Sequence, residues 1–124
     1  MNVKTDTKEK FTVITPVTDQ LSANMTAELA IMLLPYIQKD IPHLILKLSE
    51  IKDIEAEAAD QLANIQQSFY ENNCSFVIYE LPATVAKVFE EKELLGIMNI
   101  APTESEAWDI LQMEEVEREL LNED

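Results

Sequence analysis

The chain has 124 residues, 47% of them hydrophobic and 27% charged, which is typical of a single globular domain spanning residues 1–124. No apolar run reaches the roughly 20 residues of a membrane helix, and the N-terminus lacks the apolar segment of a secretory signal. We therefore expect a cytoplasmic protein without membrane insertion. The net charge of −15 repels phosphate backbones and excludes nucleic acid as an expected partner.

The N-terminal region predicts a β-hairpin followed by a helix. Residues 1–5 and 11–17 are rich in Val, Ile and Thr and flank a polar turn, as in two paired strands. Ser22 is placed to cap a helix that starts near Asn24, and Pro35 should kink or shorten that helix. The apolar side chains at helical spacing are Met25, Leu29, Met32, Leu33 and Tyr36.

Two continuous apolar runs in the middle of the chain predict buried strands. These runs, 43–49 and 74–81, flank a helical pattern over 55–70 that ends at Asn72 and Asn73. A helix between two such strands predicts that they are parallel neighbours in one sheet.

The C-terminal region predicts a helix led by Pro82, a short strand after Gly96 and an acidic last helix at about 103–122. The fold class is therefore α/β: an N-terminal hairpin joined to a largely parallel central sheet with about four helices. The stripe expected to pack the last helix on the core is Ala107, Ile110, Met113, Val116 and Leu120. Methionine and aromatic side chains on the helical stripes, Met32 and Trp108 among them, are expected in the core.

The residues with catalytic or metal-binding chemistry are few. The one histidine, His43, stands at a strand start, where a surface or edge position is expected, and no nucleophile marks a triad with it. Cys74 is expected to be a small buried residue. One His and one Cys are too few for a zinc site, and a single glycine excludes a glycine-rich phosphate loop. We therefore predict no enzyme activity, no cofactor and no metal.

Acidic residues are concentrated in two places. From 103 to 124 there are nine acids and one base, Arg118, which fits a solvated helix face or a surface that attracts a basic partner. Asp53, Glu55, Glu57 and Asp60 form the second group, whose spacing matches no calcium loop. Acids at a helix start are favoured by the helix dipole.

The segment HLILKLSEIKDIEAEAADQLANI resembles the central strand, loop and helix of STAS domains, the fold of the bacterial anti-sigma factor antagonists. In that family an aspartate-leucine-serine run ends the strand. An isoleucine, an aspartate, two small hydroxyl residues, a glycine and a leucine then open the helix. Here the strand ends in KLS, residues 47–49, and the helix opens with IEAEAA, residues 54–59. The segment from residue 76 to 111 resembles the rest of the family's fold, so the resemblance covers essentially the whole chain.

The resemblance places Glu57 at the serine that a partner kinase phosphorylates in the family. Ala56 and Ala58 replace the neighbouring hydroxyl residue and glycine, and no hydroxyl remains between Ile54 and Leu62. The resemblance thus implies a module that is not phosphorylated here. Three interpretations of Glu57 stay open. It is a favourable helix-start residue, a fixed charge that partly imitates phosphoserine, or part of a surface for a different, basic partner.

The leading hypothesis from the resemblance is a non-enzymatic bacterial signalling module that regulates transcription by binding an anti-sigma factor or a serine kinase, or a basic protein surface. The alternative is a structural subunit of a larger assembly, as STAS domains are in lipid-transporting ABC complexes. The identity of the partner and the oligomeric state stay open. The expected docking surface comprises the turn before the first helix and the N-terminal half of the second: Ser22, Asn24, Glu55, Glu57, Asp60 and Gln61.

Overall fold

The computed structural model describes residues 1–121 and shows an α/β fold with a five-stranded mixed sheet and four α-helices. The predicted end of the last helix at residue 122 lies outside the described residues. In chain order, the elements are β1 (Val3–Thr7), β2 (Thr12–Pro16), β3 (Gln20–Leu21), α1 (Ala23–Leu33), a short 3-10 helix (Leu34–Gln38), β4 (Leu44–Lys47), β5 (Asp53–Ile54), α2 (Ala56–Glu71), β6 (Phe76–Tyr79), α3 (Ala83–Glu91), β7 (Ile100–Ala101) and α4 (Glu104–Leu121).

The large sheet has the strand order β1-β2-β4-β6-β7. β1 and β2 form the predicted antiparallel hairpin, with Val3 opposite Pro16, although β1 begins two residues later than expected. All other neighbours in this sheet are parallel. The prediction that the two central apolar runs are adjacent parallel strands is confirmed by the pairing of β4 with β6.

Side chains of the central strands alternate between two cores because successive residues of a strand point to opposite faces. On the larger face, Leu44 and Leu46 of β4 pack with α1, α2 and α3. On the smaller face, Ile45 packs with Val77 of β6 and with Leu111 of α4. Three helices thus cover one face of the sheet, and α4 covers the other.

The predicted helix boundaries depend on capping and on proline. Ser22 Oγ accepts the backbone N–H of Met25 at 3.2 Å and begins α1. α1 ends at Leu33, two residues before Pro35, and continues as a 3-10 helix. Asn72 follows the last residue of α2, and Asn73 has a left-handed φ of 60°, as expected for a helix stop.

Three predictions of which side chains are buried and which are exposed are wrong. Met32 is exposed, and within the predicted α4 stripe only Ala107 is buried, because α4 turns Ala107 and Leu111 towards the sheet. Both faces of the helix carry apolar residues at spacings of three and four, so periodicity alone could not select the inner face. His43 is the third error: it is buried, with 8% of its surface exposed.

Candidate docking site

The N-termini of α1 and α2 lie side by side because the residues before them pair as short strands. β3 and β5 are parallel, with Leu21 opposite Ile54, and both of these side chains are buried. The Glu55 N–H donates to the carbonyl of Leu21 at 3.0 Å and extends the pairing by one step. This two-stranded pairing was not predicted. Its signal in the sequence is an apolar residue just before the cap of each helix, where it can anchor the helix start.

Glu55 connects the two helix starts directly. Although it occupies the N-cap position of α2, its side chain makes no capping hydrogen bond within α2. Its Oε1 instead accepts the backbone N–H of Ala23, the first residue of α1, at 2.7 Å. This N–H has no acceptor within its own helix, so a carboxylate from α2 and the hydroxyl of Ser22 together satisfy the first turn of α1.

The predicted docking residues divide into a central group and two flanks. Ser22, Asn24 and Glu55 lie at the paired helix starts, and Glu57 is exposed in the first turn of α2. Glu57, Asp60 and Gln61 share one face of α2 by their spacing of three and four. The flank at Asp60 faces the C-terminal end of α3, where the Asp60 carboxylate lies 2.9 Å from Nζ of Lys92.

The second flank, at Gln61, borders a shallow groove of about 430 Å³ between α1 and α2. The groove is lined by small and apolar residues such as Ala27 and Ala30, and by Ile31, which is 77% exposed. Gln61 Oε1 is buried and has no hydrogen-bond donor among residues 1–121. A buried acceptor without a donor is energetically unfavourable.

His43 belongs to a polar cluster on the other side of the molecule. Its Nε2 lies 2.6 Å from Glu115 Oε1, and its Nδ1 accepts the backbone N–H of Ser75 at 3.1 Å. Burial lowers the pKa of His43, an effect that the nearby Glu115 carboxylate partly offsets. Since Nδ1 is engaged by a backbone N–H and Ser75 is buried, the cluster lacks the serine–histidine hydrogen bond of nucleophilic catalysis. Its contacts hold α4 on the sheet.

Other chemistry is sparse in the described part of the chain. Cys74 is buried, as predicted, and burial raises the pKa of its thiol. Burial also raises the pKa of Tyr79 to about 12. Within residues 1–121, no group of three or more His, Cys, Asp or Glu side chains is arranged to hold a metal ion. None of the helices in this range combines the length and apolarity that a membrane crossing requires.

Comparison with known proteins identifies the fold. The family model described as the STAS domain matches residues 2–107. SpoIIAA, an anti-sigma factor antagonist, in its unphosphorylated form has 16% identity and a TM-score of 0.71, with 90% of this chain and 97% of that chain covered. A serine-to-glutamate variant of RsbS from Moorella thermoacetica has 18% identity and a TM-score of 0.74, with 91% and 97% covered.

A third similar structure is the murine anion transporter Slc26a9 in its inward-facing state. It has 12% identity and a TM-score of 0.69 over 84% of this chain, which corresponds to 18% of that chain. At these identities the likenesses show the fold alone. No curated protein matches the sequence.

Proposed function

The chain belongs to the STAS domain family, and from this premise we propose that it is a non-enzymatic bacterial signalling module that acts in the cytoplasm by docking to another protein. The proposed docking surface is the pair of helix starts at Ser22, Asn24, Glu55 and Glu57, flanked by Asp60 and Gln61. The observation that carries the proposal is the 2.7 Å hydrogen bond from Ala23 N–H to Glu55 Oε1. It joins two segments that are 32 residues apart in sequence into one surface.

The local electrostatics support a protein partner for this surface. Two helix N-termini are adjacent there, and each has a partial positive charge from its dipole. Glu55 offsets part of that charge, and Glu57 adds an exposed carboxylate in the first turn of α2. A partner therefore meets backbone N–H groups and the Glu55 carboxylate together, an arrangement that favours recognition by hydrogen bonding.

We further propose that the module works without phosphorylation in the first turn of α2. The first turn of α2 has alanine, glutamate, alanine and alanine at 56–59, so its side chains offer no hydroxyl to a kinase. The variant of RsbS with glutamate in place of a serine has the same fold. Under this proposal, the amount of the protein, or a phosphorylated paralogue, replaces the switch.

The alternative function is that of a structural subunit in a larger assembly, such as a lipid-transporting ABC complex. The likeness to part of an anion transporter supports this alternative, because there a STAS-like fold forms 18% of a much longer chain. The same surface would then brace a transport protein or its ATPase. The two proposals differ in the class of partner and agree on the docking surface.

Site-specific photocrosslinking in the native cell tests both the surface and the partner class. A photoreactive residue is placed at exposed Asn24, with Gln38 at the far end of the same helical segment as the matched control position. We expect a crosslinked protein from Asn24 that is absent from Gln38, and expect mass spectrometry to identify an anti-sigma factor or serine kinase. An ATPase or a transporter would favour the structural alternative, and equal crosslinking from both positions would contradict the surface.

A further inference from the structure

The second half of α4 has apolar side chains on the side that faces away from the protein. Met113, Val116 and Leu120 are between half and two-thirds exposed, and Met113 and Leu120 stand opposite the buried Leu111 around the helix. We name these three residues the α4 ridge. Their spacing of three and four aligns them along one face, over about 10 Å of helix at 1.5 Å per residue.

Three carboxylates lie on the same helix face as the α4 ridge. Glu106, Asp109 and Glu117 are exposed and fall on the same side of the helix as the ridge at spacings of three, four and seven. Within residues 1–121, no cationic group lies within 4 Å of any of the three, whereas Glu115 on the inner side is paired with His43. The surface therefore combines three exposed apolar side chains with three carboxylates that have no cationic partner within residues 1–121.

Polar contacts hold this half of α4 in place even though no apolar side chain after Leu111 is buried. Glu115 contacts buried His43 at 2.6 Å, and Arg118 Nη2 donates to the buried Ser75 hydroxyl at 3.0 Å. Asn99 Nδ2 donates to Glu114 at 2.6 Å. These three contacts hold the inner side of α4 against the sheet, so the ridge has a fixed orientation. A preorganised surface loses less entropy on binding.

The family match ends at residue 107, and the α4 ridge lies beyond it. We propose that the α4 ridge is a second docking surface, separate from the helix starts, and that it binds a basic amphipathic helix of a partner protein. Charge complementarity selects this occupant. A partner with apolar residues at spacings of three and four and flanking Lys or Arg would cover the ridge and pair with its carboxylates. A second copy would place like charges in contact, and each chain has a net charge of −15.

Calorimetric titration with synthetic peptides tests the proposal. The probe is a leucine–lysine peptide of about 18 residues, a length sufficient for a helix, with its leucines along one face. The control is a scrambled peptide of the same composition, which keeps the charge and loses the apolar face. We expect the patterned peptide to bind and the scrambled peptide to bind at least tenfold more weakly. Equal binding of the two peptides, or no binding of the patterned one, would overturn the proposal.

Variants of the protein locate the binding. The double variant Met113→Ser, Leu120→Ser should weaken binding of the patterned peptide tenfold or more, or about 1.4 kcal/mol. The control Ile97→Ser removes an exposed apolar side chain from the loop between α3 and β7, outside both proposed docking surfaces, and should leave binding unchanged. A second double variant, Asp109→Asn with Glu117→Gln, leaves the three ridge residues unchanged and should reduce the salt dependence of peptide binding. This variant still tests the proposal if the serine variant loses helical structure. Binding unaffected by both double variants contradicts the proposal. So does a dimer in sedimentation that the serine variant abolishes.

Discussion

Replacing Glu55 should destabilise the N-terminus of α1, although Glu55 itself stands at the start of α2. In Glu55→Ala, the Ala23 N–H loses the carboxylate that accepts its hydrogen bond at 2.7 Å. Loss of a side-chain cap costs about 0.5 to 2 kcal/mol. Since Glu55 is exposed and water can replace it in part, we expect about 1 kcal/mol. In Glu55→Gln an acceptor oxygen remains without its charge, so about half of the loss should be recovered.

Urea unfolding followed by far-UV circular dichroism measures this effect. With an m-value of about 2 kcal/mol/M, a loss of about 1 kcal/mol lowers the midpoint by about 0.5 M. The matched control is Glu57→Ala, which removes the same carboxylate two residues later, in the first turn of α2, and should cost only a few tenths of a kcal/mol. The reasoning is refuted if Glu55→Ala and Glu57→Ala lower the midpoint equally, because the contact with Ala23 would then contribute nothing.

Other properties follow from the same structure. Burial lowers the pKa of His43, so the unfolded chain takes up a proton at higher pH than the folded protein. Neutral His43 therefore contributes to the free energy of unfolding above about pH 6.5, and this contribution is lost as the pH falls through the pKa of His43 in the folded protein. The difference in unfolding free energy between the native protein and His43→Asn should therefore shrink between pH 7.5 and pH 5, and a constant difference would contradict this. Cys74 is buried with a raised pKa and should react with a thiol reagent only as fast as the protein unfolds, whereas immediate labelling of the native protein would show an open site. With a net charge of −15, no salt-sensitive binding to DNA or RNA is expected in an electrophoretic mobility assay near physiological salt. Glu57→Ser, which introduces a hydroxyl into the first turn of α2, should change partner affinity little. A tenfold gain, about 1.4 kcal/mol, would instead support a fixed-charge imitation of phosphoserine.

Much of the fold could be predicted because local chemistry and tertiary structure agree over most of the chain. The apolar run at 44–46 has no polar face, so this part of β4 is buried on both sides. Ser22, Pro35 and Asn73 each impose a backbone constraint where they stand, and the boundaries of α1 and α2 follow them.

The errors arise where long-range contacts decide the outcome. His43 is buried because Glu115, on an element 72 residues later, supplies its partner, and nothing near His43 in the sequence signals that contact. α4 has apolar residues on two faces, and only contact with the sheet determines that the face with Ala107 and Leu111 is the buried one. The bond from Glu55 to Ala23 depends on the pairing of two strands of only two residues each, which is too short for an alternating pattern.

The measurement that tests the central claim most directly is a calorimetric titration of the partner captured through Asn24 against two charge-matched variants. Asn24→Arg places a long cation on the proposed surface at the start of α1. Gln38→Arg places the same group on an exposed position at the end of the following 3-10 helix. If the partner docks at the paired helix starts, Asn24→Arg should weaken binding tenfold or more and Gln38→Arg should bind as the native protein does. Equal affinities for both variants would contradict docking at the N-termini of α1 and α2.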